Sequence, residues 1–317
     1  MQEYGGTIRQ LALTGDDALD AAAMWMAGSR HARHQSPIDL MSDLHTHPLL
    51  ITDTLAVWDV MCAGTCRHKS AEECACETSI VFPYRGVYVR HVGRTETIAE
   101  ANHVIFLNKD EPYRVSHPIA GGDSSLSVRV TSTALQELAP AGYLQGDSRV
   151  CFNRASLRVD ARAQALAALV RHQLEHRVIE TLEAETLTLT LVRRALGEHS
   201  SHASSATTGR QKLVDRAKLA LASDLDRRWT LAEVAAEIGG VSPVYLTQMF
   251  QQVEGLPLYR YQLQLRLARA LDLLAKSTDL TRLGLDLGFS SYSHFSAAFK
   301  RAFAQTPAEF QRSAQTR

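Results

Sequence analysis

The chain has 317 residues, 45% of them hydrophobic, and carries 34 basic and 34 acidic side chains. That length accommodates two ordinary domains with full cores, and the composition is normal for a soluble globular protein. No run approaches the roughly 20 apolar residues of a membrane span, and the start is acidic around Asp16, Asp17 and Asp20, so no signal peptide is expected and a cytoplasmic setting is the default.

The charge is unevenly spread. From Arg210 onward there are 15 Lys and Arg against 10 Asp and Glu, which leaves 19 basic and 24 acidic residues before it. A basic C-terminal third on an acidic remainder suits a polyanion-binding domain fused to something else.

In chain order, residues 15–33 read as a helix with Ala18, Leu19, Ala22, Ala23, Trp25 and Met26 on its apolar positions, and residues 38–47 as a second short helix. From Leu49 to Val130 the pattern becomes β-rich: Leu55–Cys62, Thr78–Phe82, Gly86–His91, Glu96–Ile98, His103–Leu107 and Ser125–Thr131. Turn residues punctuate these runs at Pro83, Gly93, Asn108 to Pro112 and Gly121 to Asp123, which predicts a small barrel or sandwich. Residues 160–197 switch to helical periodicity, with one apolar stripe through Leu166, Leu169 and Val170 and another through Leu182, Leu187, Leu189, Leu191 and Val192. Those stripes suit a homodimer surface and equally suit packing on the chain's own sheets. The Ser/Thr/Gly-rich stretch 197–209 reads as a flexible linker, with a sensor and dimerisation domain over 1–197 and a DNA-binding domain over 210–317.

After the linker everything reads as helix. Thr230 and Glu233 form a capping box ahead of Leu231 to Ile238. Gly239-Gly240 ends that helix, and Ser242-Pro243 begins the next, which buries Leu246, Met249 and Phe250. This is a helix-turn-helix. The same grammar returns with Asp279–Leu287, the turn Gly288-Phe289-Ser290, and a helix over Ser291–Phe303 burying Phe295, Phe299 and Phe303. Between the motifs, Pro257 to Ala275 predicts one helix of roughly 28 Å at 1.5 Å per residue. That is close to the rise of one DNA turn, so a rigid rod could set two short helices in successive major grooves.

Leu263 to Leu271, Asp286 to Phe303 and Thr306 to Phe310 together resemble the signature of the AraC family of bacterial transcription regulators. The resemblance implies two helix-turn-helix subdomains on double-stranded DNA, with the second helix of each in the major groove. By position, it makes Val244, Thr247, Gln248 and Gln251 base-facing in the first motif, and Ser291, Tyr292, Ser293, His294, Ala297 and Lys300 in the second. Gln can read adenine with two hydrogen bonds, and Ser, Thr and His can donate or accept at base edges. Arg266, Arg269 and Arg301 suit phosphate contacts, which position without specifying. Two departures stand out: Gly239-Gly240 where one Gly is usual, and Ala304 where Gly is usual.

The β-rich half resembles the cupin-like barrels of AraC relatives that sense a ligand, on Val104 to Asn108, Glu111 to Pro118 and Gly122-Asp123. The expected fold class is therefore α+β: a cupin-like β-barrel with a helical dimerisation segment, then an all-α domain with two helix-turn-helix motifs. RNA polymerase and a small-molecule effector are further partners such a regulator would have. No His-x-His plus Glu metal pattern sits on the strands, and His45 and His47 read as surface histidines in a helix or loop.

Four of the five cysteines fall close together: Cys62, Cys66, Cys74 and Cys76. Cys62 ends a strand, while Cys74 and Cys76 begin the next and share a face. Four thiolates at a hairpin end suit zinc, or alternatively an iron–sulfur cluster, and a thiol–disulfide switch uses the same residues. Cys151 reads as a small buried hydrophobe. The reading is a DNA-binding regulator with no enzymatic activity. Its rivals are a DNA-repair methyl-acceptor with metal-bound cysteines and a cupin-type metalloenzyme.

Overall fold

The computed structural model describes residues 44–65, 67–145, 150–197 and 207–315. The helix expected over 15–33, the linker core and Cys66 lie outside the described residues.

The N-terminal half is two antiparallel sheets. The first runs in the order β1-β2-β9-β4-β7-β12 and the second β3-β8-β5-β6. The strands are β1 (Leu44–Ile51), β2 (Leu55–Cys62), β3 (Glu73–Cys74), β4 (Ser79–Gly86), β5 (Tyr88–Val92), β6 (Thr95–Ala99), β7 (His103–Leu107), β8 (Pro112–Ser116), β9 (Asp123–Val130) and β12 (Ser156–Arg158), with a small pair β10 (Leu144–Gln145) and β11 (Cys151–Phe152) alongside. Among the described residues the ladders do not close into a ring, so the expected cupin barrel is corrected to two open sheets. Gly86, at φ 72°, ends β4, and the chain passes straight into the second sheet at Tyr88.

Three further expectations change. Residues 44–47 are not helical. They open β1, which pairs with β2 from Leu44 opposite Cys62 to Ile51 opposite Ala56, with a bulge between Pro48 and Leu50. His45 and His47 are exposed on this edge strand. Pro83 is not a turn: β4 runs through it, and a bulge before Arg85 absorbs the missing donor. Pro112 starts a strand instead of ending a loop, and β8 lies between β3 and β5.

Ten helices are described. α1 (Ser132–Leu138) follows β9. α2 (Ala161–Glu175) and α3 (Thr181–Leu196) pack on the first sheet, where Leu191, Val192 and Leu196 join Val57, Val128 and Phe106 in one core. Leu191 and Val192 of the α3 stripe are thus buried inside the chain, Leu187 and Leu189 are partly buried against the same core, and Leu182 stays exposed. The C-terminal helices are α4 (Thr208–Ser223), α5 (Leu231–Glu237), α6 (Pro243–Glu254), α7 (Leu258–Leu274), α8 (Leu280–Asp286), α9 (Tyr292–Phe303) and α10 (Pro307–Gln315). They form two cores. α4, α5, α6 and the start of α7 enclose Val214, Val234, Leu246 and Phe250. The end of α7 with α8, α9 and α10 encloses Leu271, Phe295, Phe299 and Phe310.

Ala161, Ala165, Ala168 and Leu169 of α2 belong to this second helical core, although α2 also faces the sheet. One helix of the N-terminal half therefore completes the hydrophobic interior of the second motif. Burying such small side chains brings helix backbones close together and leaves little slack between them.

α9 ends at Ala304, held at φ 62° in the left-handed region with its N–H donating to the Lys300 carbonyl. A Cβ there costs about 1 kcal/mol that glycine avoids. Ala304→Gly is expected to raise stability by up to about 1 kcal/mol, read as a higher urea midpoint with an unchanged slope. A fall in midpoint would mean that another contact fixes this cap.

Candidate nucleic-acid interface and its junction with the sheets

Both helix-turn-helix units turn on glycines with positive φ: Gly239 at 111°, Gly240 at 75° and Gly288 at 79°. At Gly288 glycine is also required by space, because a Cβ would lie 2.4 Å from the Asp226 carbonyl oxygen. The Thr230–Glu233 capping box is present at the start of α5. Ser242 Oγ accepts the Tyr245 N–H at 3.1 Å, and Ser291 Oγ accepts the His294 N–H at 3.1 Å. Each second helix therefore starts at a fixed residue, and this fixes which side chains face outward.

α6 buries Leu246, Met249, Phe250 and Val253. Val244, Gln248 and Gln251 are exposed, and Val244 retains 67% of its surface. Thr247 is half-buried and donates to the Pro243 carbonyl at 2.9 Å. α9 buries Phe295, Ala298, Phe299 and Phe303. Ser291, Ser293, His294, Ala297, Lys300 and Arg301 are exposed, with Tyr292 half-buried. The candidate base-reading residues thus lie on the solvent side of two helices of 12 residues each, joined by the 17-residue α7.

Arg266 and Arg269 are engaged by the protein itself. Arg266 donates to the carbonyls of Leu225 at 2.6 Å and Arg227 at 2.7 Å, and reaches that of Gly288 at 3.4 Å. It ties the segment before the first motif to the turn of the second. Arg269 pairs with Asp272, and Asp272 also accepts from Arg171 of α2 at 2.8 Å. The Arg171 guanidinium lies 4.0 Å over the Tyr84 ring, so this pair stacks against β4 as well.

A second polar junction joins the sheets to the first motif. Tyr261 of α7 donates its hydroxyl to Glu100 at 2.6 Å, and the other Glu100 oxygen accepts the Asn102 N–H at 2.8 Å. His103 Nδ1 sits 2.5 Å from Glu100, and its Nε2 sits 3.6 Å from Glu254 at the end of α6. Lys218 of α4 pairs with Glu254 at 2.5 Å. All five side chains are buried. Their formal charges cancel when His103 is protonated, which is what permits burial. Burial works to raise the Glu254 carboxyl, yet Lys218 and His103 hold it well below the usual range. Burial and Lys218 work to lower His103, but Glu100 and Glu254 raise it above its ordinary value. Sequence reading missed this junction because its members span Glu100 to Tyr261. The available signal was Lys218 on an otherwise apolar helix face.

Among the described residues, Cys62 and Cys74 belong to different sheets. Cys62 ends β2 in the first sheet and faces Asp123 of β9 in register. Cys74 ends β3 in the second sheet, opposite Pro112. Cys76 lies past the end of β3 in a bend, which corrects the expectation that it shares a strand face with Cys74. Burial pushes the Cys76 thiol up. Among the described residues, the group whose donor atoms all lie within 4.8 Å of one another is Cys62, His117 and Asp123. His117 and Asp123 stood in a motif already noticed, without their donor role being read. The signal was the strand-end Cys62 against Ser116-His117-Pro118 and Gly122-Asp123.

Residues 235–313 match the model of a helix-turn-helix domain. The chain is 34% identical over 101 residues to the HTH-type transcriptional regulator GlxA of Rhizobium meliloti, covering 32% of this chain and 30% of that protein. It is 30% identical over 164 residues to the HTH-type transcriptional activator RhaR of Klebsiella pneumoniae, covering 48% of this chain and 56% of that one. The matches thus span from under a third to just over half of these relatives. A solved AraC-type DNA-binding domain-containing regulator from Chromobacterium violaceum is 32% identical, covers 34% of this chain and 98% of its own, and has a TM-score of 0.32.

His103 gives the junction a pH dependence with a definite sign. Its value is raised on folding, so its stabilisation is complete below about 6.5 and lost as pH rises through the folded value. Glu100 and Glu254, both lowered, act oppositely and lose theirs only in acid. Tyr261, Lys218 and Asp215 are the remaining titratable groups around it. Elsewhere His172, pushed down to about 4 by burial, destabilises as pH falls below about 6.5 and partly masks the trend. The difference in melting temperature between the natural chain and His103→Gln is therefore expected to be largest near pH 6 and to shrink by pH 9. A difference constant across that range would show that His103 is not charged in the junction.

Proposed function

We propose, on the match of residues 235–313 to a helix-turn-helix domain and the likeness to two HTH-type regulators, that the protein is an AraC-type, sequence-specific DNA-binding transcription regulator. The observation that carries this reading is the paired geometry of α6 and α9. Each is capped by a serine, follows a glycine turn and presents a polar outer face. At 1.5 Å per residue, α7 spans about 25 Å, a separation suited to successive major-groove entries on one face of DNA.

In this reading Val244, Thr247, Gln248 and Gln251 read one half of the site, and Ser291, Tyr292, Ser293, His294, Ala297 and Lys300 the other. Gln248 and Gln251 offer paired donor and acceptor atoms to adenine, and Val244 an apolar contact for a thymine methyl. Arg301 and Lys300, exposed in the last turn of α9, supply charge near phosphates. The N-terminal half is the sensor. Its input reaches DNA through the two buried junctions, since a shift of Glu100, His103 or Arg171 moves groups on α6 or α7. A small-molecule effector, a homodimer and contact with RNA polymerase complete the proposal, with the cytoplasm as its setting. Among the described residues no helix is long and apolar enough to cross a membrane.

The test is selection of binding sites from random duplex DNA, followed by affinity measurements on the selected site. Gln248→Ala and His294→Ala are each expected to weaken specific binding by roughly 5- to 150-fold, the equivalent of about 1–3 kcal/mol per base contact. Each is expected to leave the melting temperature unchanged. An absence of selected sequences, or equal affinity of both variants and the natural chain, would sink the reading.

A further inference from the structure

We infer that Cys62, His117 and Asp123 form a binding site for a zinc-class divalent cation, separate from Cys74 and Cys76. The three side chains come from three stretches of chain. Cys62 is the last residue of β2, Asp123 is the first of β9 directly opposite it, and His117 follows the end of β8. Their sulfur, nitrogen and oxygen donors all lie within 4.8 Å of one another. His117 Nε2 and Asp123 Oδ1 are 2.7 Å apart.

The backbone around them is built for close approach. Gly64, Gly86 and Gly122 all have positive φ. A Cβ on Gly122 would lie 2.1 Å from the Cys62 carbonyl oxygen, and one on Gly86 would lie 2.0 Å from that of Gly122. A Cβ on Gly64 would meet Gly122 Cα at 2.5 Å and the His117 ring at 3.2 Å. Three glycines thus press the strand ends together and hold the imidazole against them. A side chain at any of the three glycines would clash there.

The chemistry of the donor set selects the ligand. One thiolate, one neutral imidazole and one carboxylate carry two negative charges, which a divalent cation neutralises. Sulfur with nitrogen suits zinc over magnesium or calcium, which take oxygen donors. His117 and Asp123 are 2% and 8% exposed, while Cys62 is half-exposed, so an ion reaches the buried pair from the cysteine side. Two donors at about 2.0 Å in a tetrahedron stand ~3.3 Å apart, so the cation would replace the His117–Asp123 hydrogen bond by opening it ~0.6 Å. Three protein donors leave a fourth position for water or an added ligand.

The test uses the full chain, freed of metal and titrated anaerobically with cobalt(II), whose bond to a thiolate absorbs in the near ultraviolet. The expected result is one equivalent of cobalt with that band, displaced by zinc. The band is expected to vanish in Cys62→Ser, to need at least tenfold more cobalt in His117→Gln and Asp123→Asn, and to persist unchanged in Cys74→Ser and Cys76→Ser. Zinc alone is expected to raise the melting temperature of the metal-free natural chain, a readout that no variant's folding can confuse. The inference is overturned if zinc gives no stabilisation and cobalt no band. It is equally overturned if Cys74→Ser or Cys76→Ser abolishes the band, which would assign the metal to the cysteine set, or if folded His117→Gln and Asp123→Asn bind as the natural chain does. DNA affinity is measured separately and bears only on the proposed function.

Discussion

The Lys218–Glu254 pair cannot be buried without the rest of its surroundings. An ammonium and a carboxylate in a protein interior each lose hydration worth several kcal/mol, recovered only by close pairing and further hydrogen bonds. Here the further partners His103, beside Glu254, and Glu100, beside His103, come from the other half of the molecule, and Tyr261 of α7 in turn donates to Glu100. Parting the halves would strand the remaining charges, so the first motif, the linking helix and the sheets are held in one arrangement. The Arg171–Asp272 pair repeats this constraint at the far end of α7, and the alanine face of α2 fills the core between the two junctions.

This explains why the linking helix carries more than a spacing role. Its outward length suits DNA, but Tyr261, Leu271 and Asp272 on its other side are answered by Glu100, His172 and Arg171. Asn102 and Gln164 extend the contact, since the Asn102 amide donates toward the Tyr261 carbonyl at 3.4 Å while Gln164 holds Asn102 at 3.0 Å. Packed polar contacts of this kind adopt discrete arrangements and do not deform continuously. In the proposed regulator, a change in the sheets would therefore be passed to the helices as a choice between arrangements.

Much of the helical half was legible in the sequence because its signals are local. The capping box at Thr230, the Ser242-Pro243 start and the phenylalanine spacing of Phe295, Phe299 and Phe303 each lie within a dozen residues, and each forms as the pattern predicts. The β-rich half was legible in type but not in closure. Leu55–Cys62 and His103–Leu107 match their strands end to end, whereas Pro83 and Pro112 were read as breaks because a bulge and a strand start tolerate proline. Sheet order and the passage between sheets at Gly86 depend on pairings far apart in the chain, which periodicity does not encode. The same limit hid the junction. It also hid the partners of Cys62: counting cysteines groups Cys62 with its neighbours in sequence, while the β2–β9 register sets it opposite Asp123.

The central claim is that the sheet half and the helical C-terminal half are held as one body by buried polar contacts between them. A double-mutant cycle on Glu100→Gln and Tyr261→Phe, read as urea-unfolding free energies of the full chain, tests that claim at its shortest cross-half hydrogen bond. Contact across the junction predicts non-additivity of about 0.5–3 kcal/mol, with the second substitution costing less once the first is made. Additivity to within roughly 0.3–0.5 kcal/mol would contradict it and leave the two halves energetically independent.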